Sequence, residues 1–281
     1  MHVRIVILCI FIALSTILGC TPANKEDLCV QAIFEAKQAN LALPLASKCY
    51  SEIQSEDDAY ASQEKLVAKL LNSERIYGFK AAVTSTTAQQ RVGATGPMVG
   101  VLFESGMYVN GSVIDPANFV RPLIEVELGY RINTTLTDSV ELLDLDKLIA
   151  EIVPVIEIPD IGYQDFSEIF PNDIIAANAG SAGYILGAPI SLGSIDPNEI
   201  VISLLKEGEE LNAALATDAL GNQWLALHWM INKIISQGYT IQPDHILITG
   251  ALGSIPPLEP GSYEAHFEYL GEPIQFEVIS N

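Results

Sequence analysis

Ile124-Glu125-Val126-Glu127-Leu128 puts two carboxylates into a run that is otherwise apolar. Alternate residues of a strand face the same way, so Glu125 and Glu127 share one face. Carboxylates side by side repel, and burying them is costly unless a proton or a cation neutralises them. A hard divalent cation does this, and all-oxygen sites favour Mg²⁺, Mn²⁺ or Ca²⁺. A third acid, Glu157, closes the apolar run Ile152-Val153-Pro154-Val155-Ile156, where its carboxylate can point into a cleft. On spacing alone, E-x-E fits a solvated strand face as well as it fits a cation site.

Outward from this run, short strand-like segments punctuated by Gly and Pro extend in both directions. They cover residues 78–84, 99–103, 120–132, 152–158, 184–192, 199–206, 246–249, 263–269 and 274–279. Glu207-Gly208-Glu209-Glu210 reads as a turn, because Gly208 can take the backbone angles of a hairpin. Before the strands, residues 27–43 read as a helix ending near Pro44, and residues 58–75 as another. In the second, Leu66, Val67, Leu70 and Leu71 fall at helical spacing. Residues 222–237 form a late helix with Gly238 as its stop. Helices first and a mixed β-body after them give an α+β class.

The expected division is a signal segment over 1–19, a tether over 20–26, a helical segment over 27–75 and a catalytic body over 76–281. Residues 5–17 are almost entirely apolar but too short for a span of about 20 residues, and so suit a signal-peptide core. Ile17-Leu18-Gly19-Cys20 resembles a lipobox, in which Cys20 is acylated and becomes the mature N-terminus. That reading predicts an exported chain, lipid-anchored on the periplasmic side of a bacterial membrane and touching it only through the N-terminal lipid. Export leaves Cys29 and Cys49 where disulfides persist, so they form either a bridge or two buried thiols.

The chain of 281 residues carries a formal net charge of -21. Such a surface repels phosphates and excludes nucleic acid as a partner. It also means that an anionic substrate needs a local cation. No G-x-S-x-G elbow, Walker loop, dinucleotide fingerprint or Cys/His zinc cluster occurs. His228, His245 and His266 read as packing, turn and strand-face residues.

An ordered set of segments resembles 2-keto-4-pentenoate hydratase and its decarboxylase relatives in the fumarylacetoacetate hydrolase superfamily. The set comprises Asp58-Ala59-Tyr60, Gly78-Phe79-Lys80, Ile124-Glu125-Val126-Glu127 and Pro154-Val155-Ile156-Glu157. Asn178-Ala179 with Gly187, then Leu247-Ile248-Thr249-Gly250-Ala251-Leu252-Gly253, and Glu264-Ala265-His266-Phe267 complete it.

The resemblance implies a mixed β-sheet roll or barrel of the superfamily's C-terminal type. It implies Mg²⁺ or Mn²⁺ held by Glu125, Glu127 and Glu157, with a small 2-oxo acid chelated beside it and enolate charge stabilised by the metal. Lys80 then steers the substrate carboxylate or donates a proton, and Gly250, Ala251 and Leu252 lie against the substrate. Relatives often form multimers, which makes a homo-oligomer an expectation.

The expected activity is a metal-dependent lyase, a hydratase or a 2-oxo acid decarboxylase. Departures from the family pattern support a rival, a non-catalytic lipoprotein that binds metal and anion. Ala82-Val83-Thr84 replaces G-L-T, Glu104-Ser105 stands at an acidic position, Ala177 replaces Asp, Asn222-Gln223 replaces a His-Pro or Asn-Pro pair, and no Arg follows Glu157. An acylpyruvate-type C–C hydrolase is a third reading, weakened by the lack of a Glu-His pair.

Overall fold

The computed structural model describes residues 25–49 and 53–280. The apolar run at 5–17 and Cys20 lie outside them. Among the described residues no helix is long and apolar enough to cross a membrane.

The helices are α1 (Lys25–Gln38), α2 (Ala46–Cys49), α3 (Glu56–Leu70), α4 (Thr86–Val92), α5 (Leu145–Leu148), α6 (Pro171–Ala176) and α7 (Gln223–Ser236). The strands are β1 (Ile76–Ala82), β2 (Met98–Phe103), β3 (Met107–Tyr108), β4 (Val113–Ile114), β5 (Glu125–Ile132), β6 (Ile149–Ile158), β7 (Gly183–Leu186), β8 (Ile190–Ser191), β9 (Val201–Lys206), β10 (Glu209–Leu215), β11 (Ile246–Ile248), β12 (Gly261–Phe267) and β13 (Ile274–Val278).

Eight strands form one mixed sheet in the order β2-β1-β11-β5-β6-β7-β3, with β8 also on β6. Five form a second, in the order β10-β9-β12-β13-β4. β1 runs parallel to β11, β3 to β7 and β13 to β4, and the other pairs are antiparallel. The α+β class and the mixed sheets match the expectation from sequence.

Local chemistry sets the element ends. α1 ends at Gln38, short of Pro44, and Asn40 then adopts φ 51°, a left-handed value that an asparagine tolerates. Ser55 caps α3, its hydroxyl accepting the Asp58 N–H while Asp58 accepts the Ser55 N–H. The strand expected over 120–132 begins only at Glu125, because Pro122 has no N–H for a ladder. The segment expected over 184–192 splits into β7 and β8 around Gly187 and Pro189. Glu207 and Gly208, at φ 53° and 83°, close the β9–β10 hairpin.

Gly78 is required by close packing. A Cβ there would collide with the backbone of Ile246 on β11. This approach brings β1 against the centre of the sheet, and with it Lys80. The N-terminal helices form a layer on this body. The Tyr60 hydroxyl of α3 accepts the Val99 N–H at 3.0 Å, and Gln63 Nε2 donates to Val99 O (2.9 Å) and Ile175 O (3.0 Å). Cys29 and Cys49 are joined in a disulfide with Cα atoms 5.7 Å apart, tying α1 to α2.

Candidate active site

The register of β5 on β6 assembles the acids. Glu125 lies directly across from Glu157, and Glu127 across from Val155. Opposed residues on antiparallel strands point to the same face, as do residues two apart on one strand. The three side chains therefore converge, and one carboxylate oxygen from each lies within 4.8 Å of the others. Glu127 and Glu157 are fully buried, while Glu125 is half-buried.

Lys80 comes from β1. Its ammonium, 1% exposed, donates to Glu157 Oε1 in a buried ion pair. From the turn after β11, the Gly250 N–H donates to Glu127 Oε2 at 2.7 Å. Gly250 has φ 103°, and a Cβ there would run into the Thr84 side chain.

Burial raises the Glu125 carboxyl to about 7, with the Lys80 charge opposing and Glu157 reinforcing the shift. Glu127 is held well above the usual carboxylate range by burial and then by Glu157 and Glu125. Burial would lower the Lys80 ammonium, but Glu157, Glu125 and Glu127 together hold it above its ordinary value. Three carboxylates against one ammonium leave the ionised cluster with an excess of two negative charges.

Two buried oxygens of the cluster, Glu127 Oε1 and Glu157 Oε2, have no hydrogen-bond partner among the described residues. Unpaired buried carboxylate oxygens are costly, and a divalent cation removes both the charge excess and the unmet acceptors. The donor set, all oxygen and anionic, fits such a cation.

The cluster opens on a cavity of about 250 Å³ lined by Lys80, Glu125, Thr84 and Ala251. Its other walls are mostly apolar. Ala251 faces this space, and Gly250 meets the site through its amide. Leu252 corrects the expectation from sequence. Its side chain is fully buried in the core and its N–H donates to Val126 O at 3.0 Å, so it braces the β5 end rather than facing a substrate.

Several family-like residues have structural roles. The Asn178 side chain brackets β2, accepting the Val101 N–H (2.7 Å) and donating to Val101 O (2.9 Å). Gln223 is buried and joins the Tyr130 hydroxyl to Thr249 Oγ1, accepting from each at 2.8 Å. Glu104 pairs with Arg75 on the surface. His228 bonds Val140 O and Asn232 on α7, and His266 pairs with Glu264. Arg91 and Ser85 on or beside α4, and Phe166 and Ile169 in the loop before α6, also line the cavity. Sequence reading did not single them out, although Ser85 before and Gly93 after the segment are ordinary helix start and stop signals.

No protein-family model matches the chain. The 2-keto-4-pentenoate hydratase of Burkholderia vietnamiensis is 32% identical over 203 residues, covering 71% of this chain and 77% of that protein. The 2-keto-4-pentenoate hydratase of Paraburkholderia phymatum is 32% identical over 217 residues, covering 76% and 82%. Among solved structures, 4-oxalocrotonate decarboxylase from Pseudomonas putida G7, complexed with magnesium and adipate, superposes with a TM-score of 0.83 at 22% identity, covering 91% of this chain and 97% of that one. With its buried acidic triad, its mixed sheets and these relatives, the chain belongs to the 2-keto-4-pentenoate hydratase family.

Proposed function

We propose that the protein is a divalent-metal-dependent lyase that hydrates or decarboxylates a small 2-oxo acid. The observation that carries this reading is the buried triad with two unmet carboxylate oxygens beside a buried, charged lysine. Glu125, Glu127 and Glu157 would hold Mg²⁺ or Mn²⁺, which supplies stabilisation of negative charge developing on the substrate's 2-oxo oxygen.

The chain's own residues do the rest. Lys80 keeps its proton because three carboxylates surround it, so Nζ offers a donor for a proton or for the substrate carboxylate. The Gly250 N–H fixes one Glu127 oxygen and leaves the other free for a ligand. Apolar walls restrict water to what the site admits, which strengthens each charge interaction inside. This intact set favours catalysis over a purely binding role. Product analysis after incubation with 2-keto-4-pentenoate in its dienol form, or with 4-oxalocrotonate, separates hydration from decarboxylation. Absence of either product with metal bound would favour the binding protein.

We also propose export and lipid anchoring through Cys20. The apolar run at 5–17, the Ile17-Leu18-Gly19-Cys20 end and a disulfide that oxidising compartments preserve support it. Membrane fractionation tests it. The full chain should partition with membranes and C20A should not, and equal partitioning would contradict the anchor. Association of identical copies is expected from the family, and light scattering measures it.

A further inference from the structure

Glu127 is oriented by the turn after β11. Its Oε2 accepts the Gly250 N–H at 2.7 Å, which leaves Oε1 as the oxygen without a partner among the described residues. Gly250 has φ 103°, so the direction of its N–H depends on how the preceding Thr249 is held. Thr249 is fully buried, and its N–H donates to Leu128 O at 3.1 Å. Its hydroxyl has one proton and two acceptors in reach, Gln223 Oε1 at 2.8 Å and Leu128 O at 3.1 Å. The closer acceptor is the one that Leu128 does not supply.

Gln223 is the first residue of α7, is 1% exposed and does not line the cavity. Its Nε2 donates to Ala216 O at 2.6 Å, which fixes the amide plane and turns Oε1 toward the hydroxyls of Tyr130 and Thr249. Tyr130 and Glu127 are three residues apart on β5 and so point to opposite faces. One buried acceptor therefore ties β5, on the face away from the triad, to the residue that precedes the Gly250 amide. Both hydroxyls are buried donors, and leaving either without an acceptor is costly. The pair Asn222-Gln223 is also one of the places where the chain departs from the family pattern.

We propose that Gln223 is a positioning residue for the metal centre, acting through Thr249 and the Gly250 amide on Glu127. This rests on the metal-binding reading of the triad. Gln223 holds the Thr249 hydroxyl, Thr249 sets the path of the turn, and the Gly250 N–H then takes one Glu127 oxygen and presents the other as a ligand. Without the Gln223 acceptor the Thr249 hydroxyl has only Leu128 O, which already takes the Thr249 N–H. The turn then loses its anchor to α7, and Glu127 loses its fixed orientation.

The test is isothermal titration of the chelator-stripped full-length protein with Mn²⁺ alone. Q223M keeps the side-chain volume and removes the acceptor, and should weaken Mn²⁺ binding about tenfold, the scale for a group that holds a metal ligand in place. Q223E keeps an acceptor for both hydroxyls and should stay within about threefold of the wild type. T249V removes the same bond from its other end, so Q223M/T249V should bind no more than about twofold more weakly than the weaker single variant. C29A/C49A loosens the fold elsewhere and should keep the wild-type affinity, which separates positioning from a general loss of stability. Should Q223M fail to fold, T249V decides the question by the same tenfold loss. Wild-type affinity in folded Q223M or in T249V, or losses that multiply in the double variant, would overturn the assignment and leave the metal-binding reading in place. A wild type that binds no Mn²⁺ would overturn the two together.

Discussion

Lys80 on β1 forms a buried ion pair with Glu157 on β6, although β11 and β5 lie between their strands in the sheet. Three strand spacings in a flat sheet amount to about 14 Å. The sheet therefore curls around the cluster, and the pair bridges the concave side. Breaking it strands a buried carboxylate, which typically costs about 3–5 kcal/mol. K80M should lower the unfolding free energy of the metal-free protein, measured by denaturant titration, by that amount. K80M/E157L removes both charges and should recover much of the loss. In the loaded enzyme, loss of this donor should reduce turnover by roughly 10²- to 10⁴-fold.

The charge excess of the triad predicts that metal stabilises the fold. A ligand at 100 times its Kd adds about 2.7 kcal/mol, which for a chain of this size raises Tm by roughly 5–10 °C. Differential scanning calorimetry of chelator-stripped protein with and without Mg²⁺ measures it. E127Q should abolish the shift, and an equal shift in E127Q would place the metal elsewhere.

The Cys29–Cys49 bridge closes a 20-residue separation. Chain-entropy arguments give such a loop about 3 kcal/mol. C29A/C49A should lose about that much stability in urea unfolding, and the oxidised wild type should fall to the same value on reduction.

The cap of α3 carries an acid-side signature. The Ser55 side chain and then its backbone hold the Asp58 carboxyl below its ordinary range. A depressed carboxylate contributes stability above its unfolded pKa of about 4, and that contribution is lost as pH falls through the folded value. S55A should cost about 1 kcal/mol near neutral pH through the lost cap. The difference between S55A and wild type should shrink as pH is lowered from 5 to 3. A difference constant with pH would assign the effect to the hydroxyl alone.

Much of this molecule was legible before its coordinates. The two-residue spacing put Glu125 and Glu127 on one face, and β5 keeps them there. Asn222 and Gly238 marked α7 at both ends, and Gly208 marked a hairpin. Other features depend on distant parts of the chain. That Glu157 faces Glu125 is a matter of register between strands with a long connection, which neither strand specifies locally. The Lys80–Glu157 pair needs the order β1-β11-β5-β6, in which β11 comes from far along the chain. α4 escaped because two threonines open it and weaken the helical pattern, and with it went Arg91. Leu252 was misplaced because the turn after β11 sends alternate residues to opposite sides, Ala251 to the cavity and Leu252 to the core.

The central claim is that the buried glutamates form the metal centre of a lyase, and metal-dependent turnover tests it most directly. The chelator-stripped full-length protein is mixed with the dienol form of 2-keto-4-pentenoate, and loss of its absorbance is followed before and after Mg²⁺ or Mn²⁺ is added. The account predicts no turnover without metal, turnover with it, and none in E127Q at the same metal concentration. Turnover that persists in stripped protein, or that E127Q retains in full, would contradict it.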